Sequence, residues 1–136
     1  MKCIYTLVIL LSFLSNSYGS GVHASEINET ECSERMQNLL KEHPDAVIVQ
    51  VKGLVCSSCA IGIRIGLAKI EGINRSKFTN GVELDSSNQY VLLALNNPLD
   101  FDLIFQKIYD AGYDPLHLCY LKDDQIIRVE APEIRT

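Results

Sequence analysis

Gly53-Leu54-Val55-Cys56-Ser57-Ser58-Cys59 is the stretch from which the fold of this chain is read. It sets a Cys-x-x-Cys pair between a β-like run, Ala46 to Val51, and a helix-like run, Ala60 to Ile70. Two thiols three positions apart at a strand-to-helix junction can converge on one point. A helix N-terminus there supplies partial positive charge and unpaired N–H groups, which favour thiolate over thiol. Thiolate is the form that ligates a soft metal or attacks a disulfide. The chemistry of the protein is expected here, and the two jobs have to be told apart.

Upstream of the loop, Val47, Val49 and Val51 fall on one side and Ile48, Gln50 and Lys52 on the other, the pattern of a half-buried strand ended by Gly53. Downstream, Ala60, Ile63, Leu67 and Ile70 recur on one face of an amphipathic helix. Gly62 and Gly66 lie inside it, each costing about 1 kcal/mol against Ala. Close packing of helix on sheet accounts for them, since Arg64 and Lys69 preclude a spanning segment. Gly72 is the expected left-handed cap. Phe78, Val82 and Leu84 indicate a second strand, interrupted by a bulge or turn at Asn80-Gly81. Asp85 to Asn88 is a turn, and Tyr90 to Leu95 is a third strand, apolar enough to be central. Asn97-Pro98 or Asp100 starts a second helix with Phe101, Ile104, Phe105 and Ile108 on its apolar face. Gly112 ends that helix, Pro115 to Leu121 reads as a fourth strand, and Gln125 to Val129 as a short edge strand. The order β-α-β-β-α-β predicts an α+β, ferredoxin-like sandwich: a four-stranded antiparallel sheet with two helices on one face.

The ends of the chain read differently. Lys2, the apolar run Ile4 to Leu14 and the small-x-Ala sequence Val22-His23-Ala24 make residues 1–24 a secretory signal, removed rather than retained, because the run is too short to span a bilayer comfortably. Residues 25–44 form a polar, acidic leader in which Ser33 caps a short helix with Met36, Leu39 and Leu40 along one stripe, ended by Pro44. The leader is expected to be solvated, and His43 within it is given no role. The folded domain is placed at 45–122 and a C-terminal extension at 123–136. Without the signal, 11 basic residues face 17 acidic ones, a net charge of −6 (12 − 1 − 17). With no clustered Lys and Arg and no aromatic-plus-basic patch, nucleic-acid binding is excluded. Export sends the protein out of the cell, or to the periplasm of a Gram-negative source, with Cys32, Cys56, Cys59 and Cys119 in an oxidising compartment. Three pairings of those four exist and spacing does not choose among them. Asn28-Glu29-Thr30 and Asn74-Arg75-Ser76 match the N-glycosylation pattern, a short signal that arises readily by chance.

Gly53-Leu-Val-Cys-Ser-Ser-Cys resembles the Gly-Met-x-Cys-x-x-Cys loop of the heavy-metal-associated domain. That family includes copper chaperones, the metal-binding modules of copper and zinc transport ATPases, and periplasmic mercury-binding proteins. Lys69-Ile70-Glu71-Gly72-Ile73 looks like the family's end of helix one, and Asp110-Ala111-Gly112-Tyr113-Asp114 like its loop before the last strand. The likeness covers roughly residues 46–121. The family's Met is replaced here, with Leu54 and Val55 expected to supply apolar side chains beneath the loop; Leu and Met are near-isosteric.

The resemblance implies that Cys56 and Cys59 bind metal, with Tyr113 close by, Lys52 offsetting thiolate charge and Leu54 supporting the loop. Tyr113 reads equally as the finish of a helix cap, and Lys52 as a solvated strand residue. Two thiolates hold Zn²⁺ poorly, because structural zinc takes four ligands. Cu(I) fits first, and Hg(II) or another thiophilic ion next. His117 and Cys119 are tempting further ligands, but a rise of about 3.3 Å per residue carries Cys119 roughly 16 Å beyond Asp114, away from the loop. A buried thiol, or a disulfide to Cys32 that staples the leader, is preferred for Cys119 over ligation. The function expected is an exported metallochaperone or scavenger, not an enzyme, that exchanges a soft ion with a metal-transporting or metal-receiving protein and meets a membrane only through that partner. Two alternatives stay open. One is a thiol–disulfide oxidoreductase, with Cys56 attacking and Cys59 resolving, although no Trp or Gly-Pro surrounds the pair. The other is an interaction domain in which metal is incidental.

Overall fold

The computed structural model describes residues 32–56 and 58–133; the signal segment, Asn28 and Ser57 lie outside them. Along the chain run α1 (Glu34–Glu42), β1 (Ala46–Lys52), α2 (Ile61–Ala68), β2 (Val82–Asp85), β3 (Tyr90–Ala94), α3 (Phe101–Asp110), β4 (Asp114–Lys122) and β5 (Gln125–Glu130). The strands form one antiparallel sheet in the order β2-β3-β1-β4-β5. Its first four strands with α2 and α3 make the ferredoxin-like βαββαβ arrangement.

Period-two alternation places Val47, Val49 and Val51 of β1 in the main core. There they meet Ile63 and Leu67 of α2, Ile104, Phe105 and Ile108 of α3, and Val91, Leu93 and Leu118 of the flanking strands. Each such burial stabilises by roughly 1.5–3 kcal/mol. The Ala60, Ile63, Leu67, Ile70 stripe is buried throughout, as its spacing predicts. The glycines between do not serve the sheet: a Cβ at Gly66 would meet open space, and one at Gly62 would only touch Ala111 Cβ at 3.9 Å.

The expected four-stranded sheet with two helices is corrected, among the described residues, to five strands and three helices. At the C-terminal side, Lys122 and Gln125 pair across a two-residue turn whose Asp123 (φ 51°) and Asp124 (φ 61°) both adopt the left-handed region, the pattern of a type I′ hairpin turn. That turn folds β5 back onto β4 and extends the sheet.

At the N-terminal side, the helix expected to be solvated is half of a second core. β1 is buried on both faces over most of its length rather than half-buried, because Ile48 joins Tyr90, Leu92 and Cys119 on the side away from α2 and α3. An apolar sheet face of that kind has to be covered, and α1 covers it with fully buried Met36 and Leu40. Ser33 caps this helix: its Oγ accepts from Met36 N at 3.3 Å and pairs with the Tyr90 hydroxyl at 2.7 Å. Phe78, expected in a strand, instead takes a left-handed turn conformation (φ 53°) and meets the His43 ring edge-on at 5.1 Å. β2 starts only after Gly81, where φ is +84° and an added Cβ would overlap Ile73 Cγ2 and lie 2.9 Å from Asn74 O. No helix among the described residues is long and apolar enough to cross a membrane.

Candidate metal centre

The chain leaves the sheet at Gly53, where φ is +87°. Val55 N donates to Gly53 O at 2.9 Å and closes a three-residue turn over Leu54. Because the turn reverses there, the two apolar residues point opposite ways. Leu54 is fully buried beneath the loop, whereas Val55 is 79% exposed, so only Leu54 gives the support expected of both.

Cys56 begins the first helical turn. Its carbonyl accepts from Cys59 N at 3.1 Å and from Ala60 N at 3.2 Å, and regular helix follows from Ile61. Both cysteines are free thiols, Cys59 exposed and Cys56 partly so. The turn brings the sulfurs within hydrogen-bonding reach of each other. The Cys59 thiol donates to Cys56, and the backbone N–H groups of Cys59 and Ser58 add to it. Together these hold the Cys56 thiol below its ordinary value. The same pairing, with the charge of ionised Cys56, pushes the Cys59 thiol up. Of the two, Cys56 is the more readily ionised, and a thiophilic cation would displace the protons the pair carries.

Lys52 is exposed and stands opposite Asp114 in the β1–β4 register; hydrogen bonds, rather than its charge, favour the Cys56 thiolate. Tyr113 lies at the same end of the sheet, one residue before Asp114. Its N–H donates to Ile108 O at 3.2 Å and Gly112 N to Tyr109 O at 2.8 Å, the capping bonds that finish α3, and its side chain packs partly buried on the main core. Cys119 is in a disulfide with Cys32, Cα–Cα 6.3 Å, on the face covered by α1. His117 is half-buried on β4, opposite Gln50 and Glu130, and burial holds its imidazole below the ordinary value. Among the described residues no three His, Cys, Asp or Glu side chains cluster, so no third side chain of those types joins the thiol pair.

One contact to the loop lay beyond sequence reasoning. Gln89 Oε1 accepts from Gly53 N at 2.9 Å across 36 residues, and no local pattern announces it.

No protein-family model matches the chain, and no curated protein matches it. Among solved structures it is similar to one described as CopZ metallochaperone, at 21% identity and TM-score 0.45 over 52% of this chain and 98% of that one. It is similar also to the yeast copper transporter domain Ccc2a, at 24% identity and TM-score 0.44 over 57% of this chain and 96% of that domain. Apo-CopP from Helicobacter pylori overlaps at 24% identity and TM-score 0.43, over 52% of this chain and 98% of its own.

Proposed function

We propose that the protein is an exported carrier that holds a soft metal ion, Cu(I) foremost and Hg(II) or a similar ion next, between Cys56 and Cys59 and passes it to a metal-transporting or metal-receiving partner. The observation that carries this reading is the pair itself: two free, solvent-reachable sulfurs in mutual contact at a helix start. Two soft ligands suit an ion content with low coordination. An open two-thiolate site also suits handover, because an incoming thiolate can join the ion before either resident sulfur leaves.

The surroundings favour the same reading. Val55, Ile61 and Ile65 are three of the five exposed large apolar side chains among the described residues, and they flank the thiols, Val55 before them on the loop and Ile61 and Ile65 after them on one helix face. A partner seated there would exclude water from the exchanging sulfurs. The Cys32–Cys119 disulfide is of the kind that persists in oxidising compartments, which supports the export reading. Anaerobic titration with Cu(I) against a competing chelator tests the proposal. One tight equivalent is expected, lost in both Cys56→Ser and Cys59→Ser; binding no tighter than that of unrelated dithiol peptides would sink it.

The asymmetry of the two thiols favours a second reading, thiol–disulfide exchange. Cys56 thiolate would attack a partner disulfide, and Cys59 would then expel the partner's second thiolate, leaving the partner reduced and the pair oxidised. Turnover of a scrambled disulfide protein, abolished by Cys56→Ser, would establish that reading over carriage.

A further inference from the structure

β1 and β3 face each other with Val47 opposite Leu93 and Val49 opposite Val91. Val51 continues the series, its N–H donating to the Gln89 carbonyl at 2.9 Å. The next rung belongs to the N–H of Gly53, but the opposite chain has already turned away toward Asp85. Gln89 Oε1 fills that rung at 2.9 Å. Gln89 takes a left-handed conformation (φ 57°), unusual for a residue with a long side chain. From the adjoining strand, Gln50 Nε2 donates to Asn88 O at 3.2 Å and to Gln89 O at 3.3 Å, clamping the turn that presents it.

We propose that Gln89 is a positioning residue for the thiol loop: its side-chain oxygen replaces a missing strand carbonyl and fixes the Gly53 hinge from which Cys56 is suspended. Its meaning for metal handling rests on the carrier reading given above. Leu54 anchors the loop from beneath and Gln89 from the side. Gly53 lacks a Cβ and has nothing within 4 Å of where one would lie, so neither sterics nor packing limits the hinge. Without the Gln89 contact, Gly53 samples other conformations and the loop that carries Cys56 is anchored by Leu54 alone.

The test compares Gln89→Met, which keeps the shape and removes the acceptor, with Gln89→Glu, which keeps the acceptor; high salt screens the added charge. Amide hydrogen exchange in metal-free protein, read by NMR, is expected to be about threefold faster at Gly53 in Gln89→Met, the scale of one exposed hydrogen bond, with Gln89→Glu close to wild type. Release of bound Cu(I) to a chelator is expected to quicken by a similar factor in Gln89→Met alone. A Met variant whose Gly53 amide exchanges like wild type overturns the proposal, as does a Glu variant displaced as far as the Met one. The exchange measurement contains no metal, so a protein that fails to bind Cu(I) yet shows faster Gly53 exchange loses the carrier reading and keeps the hinge.

Discussion

Cys56 and Cys59 sit three positions apart and ionise differently, because only Cys56 gathers donors. Its thiolate accepts from the Cys59 thiol and from two backbone N–H groups, while Cys59 gives up its proton only against the charge of its neighbour. Under limiting iodoacetamide, mass spectrometry should find Cys56 carboxamidomethylated several-fold faster than Cys59, with its rate levelling off below the usual thiol range near about 8.5. Cys59→Ala removes the first of those donors and should move that plateau upward. His117 gives a second residue-scale prediction. Burial lowers its folded pKa from the ordinary 6.5. The neutral ring is therefore favoured in the fold, and the unfolded chain binds the extra proton first. Stability is fully present above about 6.5 and is lost as pH falls through the lowered folded value. Gln in place of His117 should flatten that part of the curve in urea melts taken across mildly acidic pH.

At the scale of elements, α1 and the approach to β2 are the parts most open to test. Met36→Ala removes a fully buried side chain from the second core and should cost about 2–5 kcal/mol in denaturant unfolding, whereas Ala at exposed Asn38 should fall within about 0.5 kcal/mol. Gly81→Ala combines a left-handed backbone with an overlap on Ile73 and should cost more than the roughly 1 kcal/mol of the backbone term alone. What the sequence made legible divides along the same line. The thiol loop, the α2 stripe and the α3 face are local patterns with strong periods, and they stand where their spacing puts them. The burial of α1 was hidden because its nine residues hold four charges, and what buries Met36 and Leu40 is a sheet face assembled from distant strands. β5 was readable as a strand. Its union with the sheet turned on Asp123 and Asp124 adopting positive φ without a glycine to signal it. Gln89 was invisible for a third reason: a side chain that completes a ladder leaves no periodic trace.

For the whole molecule, the disulfide joins residues 87 apart and ties α1 to the middle of β4. In the chain-entropy picture, closing a loop of that length stabilises by about 4–5 kcal/mol, an upper figure. The Cys32→Ala/Cys119→Ala double variant should therefore unfold at markedly lower urea, while its Cu(I) titration keeps one equivalent, because the crosslink and the thiol pair occupy separate places. That separation has a consequence for redox chemistry within a single chain. A nucleophilic thiolate and a disulfide in one small protein ordinarily invite scrambling, since exchange needs only contact between the attacking sulfur and the bond. Here Cys119 is fully buried and Cys32 nearly so, on the side of the sheet away from α2. The β-sheet thus works as an insulator, letting the molecule carry a live dithiol and a permanent crosslink without short-circuiting one through the other.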